Sequence, residues 1–120
     1  MGASSCLKID FSNRSKCDAD YNIPNPQNEI IVPCVRLDTI LTRYRIDNID
    51  LLCMDIQEYE IFALFSLGYH IKNVKYIISE VSINNTYIGG TNFNELYNYL
   101  KKYLEDISTY IFPVSIKKKI

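Results

Sequence analysis

The chain has 120 residues, 48% of them apolar and 22% charged, with a formal net charge of -1; this is the balance of one ordinary globular domain and not of a disordered tail. With 13 basic residues against 14 acidic ones, and with the lysines scattered, a basic nucleic-acid binder is a distant third reading and no nucleic-acid partner is expected. No apolar run approaches the roughly 18 residues that cross a bilayer, so no membrane partner is expected.

The opening ten residues hold one short apolar alternation, Cys6, Leu7 and Ile9, read as a brief strand. Residues 12–28 are rich in Asn, Ser, Asp and Pro and read as a loop. Residues 30–32 are extended and end at Pro33, which biases its predecessor the same way. Residues 36–45 read as a helix, with Leu37, Ile40, Leu41 and Tyr44 on one face and Asp38 in the first turn, where the helix dipole favours an acid.

Residues 49–56 are the centre of the pattern. Leu51 to Met54 and Ile56 form an apolar run broken only by Asp55, which suits a strand of a parallel sheet covered on both faces. A helix over 58–67 follows, closed by Gly68, with His70 in a short connection just beyond, expected at the surface or its boundary. Residues 74–82 are β-branched and aromatic, a second strand that carries Glu80 near its carboxyl end. In open α/β sheets ligands sit beyond the carboxyl ends of the strands, so Asp55 and Glu80 should face one crevice. A loop with Gly89 and Gly90 then passes Tyr87 over that end, a helix spans 93–104, and residues 107–116 read as one edge strand because of Pro113, with Lys117 to Lys119 a solvated tag. The fold class is α/β with a parallel sheet and flanking helices, in a single domain over 1–120.

The four cysteines, at 6, 17, 34 and 53, contain no Cys-x-x-Cys pair and have one histidine to join them, which argues against a zinc site. No metal is expected. Cys53 is assigned to the buried strand as a small apolar group, and reduced thiols suit a cytoplasmic setting. Cys6 stands where a myristoylation signal needs Ser or Thr, so no lipid anchor is expected.

Leu37-Asp38, the 49–52 segment Ile-Asp-Leu-Leu, Asp55-Ile56-Gln57 with Glu60, then Glu80-Val81 and Tyr87 resemble, in order and spacing, the FkbM family of methyltransferases, whose mark reads roughly Lys-Ile-Asp-Val-Glu-Gly-Ala-Glu. The chain departs from it at Cys53, Gln57 and Glu58, where the family has Lys, Glu and Gly. The resemblance implies an S-adenosylmethionine-dependent O-methyltransferase with a partial Rossmann-like fold of the class I methyltransferase kind, truncated at the N-terminus to its substrate-side part. It also implies catalytic roles for Asp55, Glu60 and Glu80 and acceptor contacts for Gln57 and Tyr87.

The sequence contains no Gly-x-Gly, the turn on which such folds approach a nucleotide-like cofactor with backbone N–H groups. S-adenosylmethionine is therefore not expected to bind this chain alone, which is expected to be inactive by itself, and the expected partners are a small-molecule or sugar hydroxyl acceptor and either a second copy or a completing protein segment. The competing reading is a non-enzymatic remnant that serves as an interaction module.

Overall fold

A computed structural model describes residues 4–10, 12, 27–103, 106–110 and 115–119. In chain order the elements are α1 (Leu37–Arg43), β1 (Ile49–Met54), α2 (Glu60–Ser66), a 3-10 helix (Gly68–Asn73), β2 (Val74–Glu80), α3 (Phe93–Leu100), β3 (Asp106–Tyr110) and β4 (Ser115–Lys119). Most of the expected loop 12–28, Leu104 and Pro113 lie outside the described residues.

β1 and β2 pair in parallel, from Ile49 opposite Val74 to Met54 opposite Ser79, with α2 in the connection between them. This is the expected βαβ unit. The sheet continues in the order β1-β2-β4-β3, and both further pairings are antiparallel. The expected single edge strand over 107–116 is thus corrected to two strands, with β4 interior to the sheet and Lys117 to Lys119 within it. Chain length explains the change. A parallel return needs a crossover of about a dozen residues, whereas so short a span between β3 and β4 allows only a hairpin. The sheet is mixed, with a parallel pair at one end.

The helices cover one face. Leu41 of α1, Ile61 and Leu64 of α2, and Leu96 and Leu100 of α3 form one core with Met54 and Ile77 of the sheet. On the opposite face Leu51 is 53% exposed and Tyr76, its partner in register, 44% exposed, with Cys53 exposed beside them. This corrects the expectation of a strand buried on both faces. An uninterrupted apolar run is compatible with either environment, and only the placement of the helices distinguishes them.

Local chemistry sets the helix ends. Asn92 caps α3, its side chain accepting from the Glu95 N–H at 2.9 Å while Glu95 accepts from the Asn92 N–H at 3.1 Å, so two otherwise unpaired donors are satisfied together. Gly68 terminates α2 in the left-handed region, φ 55°, as its position in the sequence requires. α1 stops at Arg43, which leaves Tyr44 exposed and not on the buried face expected of it. Asp38 is bound by Arg36 at 2.8 Å, and that hydrogen bond lowers its carboxyl below the usual range; the salt bridge accounts for Asp38 structurally.

His70 is corrected from surface to interior. It is 2% exposed, stacked on Tyr69 with ring centroids 4.1 Å apart. The 3-10 helix packs Ile71 into the core and carries its neighbour inward. Truncating a core side chain here leaves a cavity that the surrounding helices cannot close. Leu64→Ala should therefore lower unfolding free energy by about 2–5 kcal/mol, and Ile83→Ala, at a position 71% exposed, by less than about 0.5 kcal/mol, as measured by chemical denaturation.

Candidate active site

At the carboxyl end of β1 the chain makes a tight turn before α2. Gln57 and Glu58 both adopt left-handed backbone, φ 51° and 69°, a region that disfavours residues with a Cβ. For this reason α2 starts at Glu60 and not at the expected residue 58. A glycine would occupy position 58 without that cost.

Glu58 is held by what its side chain does. It is 4% exposed, and its carboxylate accepts the N–H of Thr86 at 2.6 Å and of Tyr87 at 3.1 Å, while its own carbonyl accepts the Thr91 N–H at 2.7 Å. Hydrogen bonds to a charged group contribute about 1.5–3 kcal/mol each, enough to offset the backbone strain. The neighbouring Gly90 is shaped to it: a Cβ there would lie 2.0 Å from Glu58 Oε2 and 2.8 Å from Glu58 Cβ. The amino-terminal segment closes over the same point. Ser5 Oγ donates to the Gln57 carbonyl at 2.8 Å, and Ile9 bridges to Tyr87 through Asp10 N–H to Thr86 O at 2.8 Å and Ile88 N–H to Lys8 O at 2.7 Å. Residues 6–9 therefore form an isolated bridge and not a strand.

Beside this clamp the acids converge. Glu80 ends β2 one step past the pair Met54–Ser79, so Asp55 lies across from it. Glu80 is raised above its ordinary range, first by loss of water, then by the neighbouring Asp55 carboxyl, and then by the charge of Glu60. Glu60, at the start of α2, is 3% exposed and accepts the Ile56 N–H at 3.1 Å; burial raises its carboxyl against the lowering effect of that bond and of nearby N–H groups. Gln57 Nε2 donates to Asp55 Oδ1 at 3.0 Å. Asp55 and Glu80 are exposed to solvent and Glu60 is not.

Of the residues singled out in the sequence, Asp55, Gln57, Glu60 and Glu80 thus form one group. Tyr87 is placed differently: it is 5% exposed, and its backbone is tied to Glu58. Glu58, assigned in the sequence to a helix turn, is the residue whose role was missed; the signal was present as an acid where the family segment has glycine. Among the described residues no group of three His, Cys, Asp or Glu side chains is disposed to hold a metal ion, and no helix is long and apolar enough to cross a membrane.

Removing half of the clamp should show in stability. Gly90→Ala should cost about 1–3 kcal/mol by overpacking, and that cost should shrink by at least about 0.5 kcal/mol in a Glu58→Gly background, where the space is vacated. Equal costs in the two backgrounds, measured by denaturant titration, would show that the carboxylate does not fill the space beside Gly90.

Comparison with known families agrees with the resemblance seen in the sequence. The model of the Methyltransferase FkbM domain matches residues 5–107, a span that includes the β1–α2 turn, the Asp55–Glu80 pair and the Glu58 clamp. No curated protein and no solved structure matches the chain. With the greater part of its length matched by that one domain, the chain belongs to the FkbM methyltransferase family.

Proposed function

We propose that this chain supplies the hydroxyl-acceptor side of an S-adenosylmethionine-dependent O-methyl transfer. The observation that carries this reading is the Asp55–Glu80 carboxyl pair beyond the carboxyl ends of two adjacent parallel strands, where ligands of such sheets sit. Loss of water and the charge of Asp55 raise Glu80 above the ordinary carboxylate range, so it holds a proton more readily than a free carboxyl would. An acceptor hydroxyl placed there would donate to the ionised carboxylate, which orients its oxygen and takes up the proton. Gln57 fixes Asp55, and the buried Glu60 carboxyl adds a third acid behind the pair.

The family points to S-adenosylmethionine as methyl donor, yet the residues described do not fit that cofactor by themselves. The one glycine pair, Gly89 and Gly90, is not open for a close backbone approach, because Glu58 Oε2 occupies the space beside Gly90. Weak cofactor binding by the 120-residue chain alone is accordingly part of the proposal, and no step is routed through the cofactor. Exposed free thiols at Cys6, Cys34 and Cys53 favour a reducing, cytoplasmic setting. A second reading, a non-enzymatic interaction module, is favoured by Glu58 standing where the family segment has glycine.

Calorimetric titration with S-adenosylmethionine separates the readings when combined with a transfer assay. Dissociation in or above the millimolar range is expected, about 4 kcal/mol of binding free energy or less, with no methyl transfer by the chain alone; joined to a cofactor-binding half with a glycine-rich turn, it should transfer methyl to hydroxyl acceptors at a rate that falls by about 100-fold in Asp55→Asn. A low-micromolar dissociation constant for the chain alone would refute weak binding; transfer by the joined protein unaffected by Asp55→Asn would refute the acceptor role; no transfer by the joined protein would favour the interaction module.

The carboxyl pair also has a signature in stability. Glu80 is raised in the folded chain, so the native state holds its proton more tightly than the unfolded one. The stability this represents is complete below the ordinary carboxylate range and is lost as pH rises through the raised value. Glu80→Gln should therefore stabilise the protein at pH 7 by up to about 1 kcal/mol, the scale of a solvent-screened pair. The gain should vanish in thermal melts carried out below the ordinary carboxylate range.

A further inference from the structure

Among the described residues β1 lies at the end of the sheet, paired with β2 alone, and an open strand edge is a template for another extended chain. The molecule carries a candidate segment. Residues 30–35 belong to no helix or strand and, among the described residues, make no backbone hydrogen bond; Ile31 is fully exposed, Ile30 78%, Val32 59% and Val35 56%. Beside β1, under α1, runs an open groove of about 320 Å³ with an almost wholly apolar lining that includes Leu37, Ile40, Leu41, Ile46, Ile49 and Leu52.

We propose that two copies of this chain exchange arms. Residues 30–35 of each copy add to the β1 edge of the other and seat alternate side chains in its groove. Strand addition works this way: main-chain hydrogen bonds hold the segment and pockets for every second side chain select it. The pairing is isologous, since each copy offers the same arm and the same edge, and it closes at a dimer. The orientation is antiparallel. That arrangement keeps Glu29 away from Asp47 and Asp50 at the start of β1, where the parallel one would place it; Arg36 already pairs with Asp38 and Asp50 with Lys75. Pro33 lacks an N–H and turns that side of the arm to solvent, as proline does in edge strands. The arm does not cover its own β1, because a single residue, Arg36, separates it from α1 and the segment stands clear of the surface.

This inference is independent of the proposed methyl transfer and is tested without it. Sedimentation of the 120-residue chain at about 50 micromolar should give twice the 14.0 kDa chain mass, as a dissociation constant near 1 micromolar or tighter demands. The double substitution Ile31→Asp, Val35→Asp should give a monomer with unchanged circular dichroism. A wild-type monomer, or a variant that remains dimeric, overturns the proposal. A second experiment does not depend on folding of that variant. In a Cys6→Ser, Cys17→Ser background, Cys34→Ser and Cys53→Ser proteins are treated with a hexyl-linked bis-maleimide, separately and after mixing. Covalent dimer should form mainly in the mixture, through Cys34 of one copy and Cys53 of the other. Equal cross-linking in the separate samples overturns the exchange.

Discussion

The carboxylate of Glu58 is the constraint on which the site depends. A chain that leaves β1 and must start α2 within a few residues has to reverse direction at once, and here it does so through two left-handed residues, Gln57 and Glu58. Such backbone persists only where the surroundings over-determine it. The surroundings are the Thr86 and Tyr87 N–H groups on the carboxylate, the Thr91 N–H on the carbonyl, and Gly90 packed where no Cβ fits. The turn, the loop over the site and the amino-terminal segment are thereby fixed to one another, and the position of Asp55 follows from theirs.

Around that fixed turn the electrostatics are those of crowded acids. Parallel pairing in the register Met54–Ser79 obliges the next residues, Asp55 and Glu80, to face each other. Their mutual repulsion is tolerated because both reach solvent, while Glu60, which does not, is stabilised by the Ile56 N–H and by the start of its own helix. Burial raises Glu60, and loss of water together with the Asp55 charge raises Glu80.

The sheet that carries this site is covered on one face. Leu51, Cys53 and Tyr76 lie open on the other, and among the described residues β1 has a neighbour on one side only. Apolar surface of this kind in contact with water is unfavourable by roughly 25 cal/mol for each Å², so a chain that leaves it uncovered gains by associating.

Much of this was legible in the sequence because it is decided locally. The βαβ unit over 49–80, the stop at Gly68, the α3 helix beginning at Phe93 and the strand-end positions of Asp55 and Glu80 all follow from periodicity, turn chemistry and the rule that ligands gather at strand ends. The features that were not legible are decided between distant segments. Whether the apolar run of β1 is covered on both faces depends on where α1, α2 and α3 settle; whether His70 is buried depends on Ile71 being drawn into the core; whether Lys117 to Lys119 form an interior strand depends on pairing with β2 and β3. Glu58 is the clearest case. Its sequence position explains only a charged residue near a helix start, and its function as a clamp arises from backbone N–H groups 28 and 29 residues away, which no pattern of local spacing can bring to it.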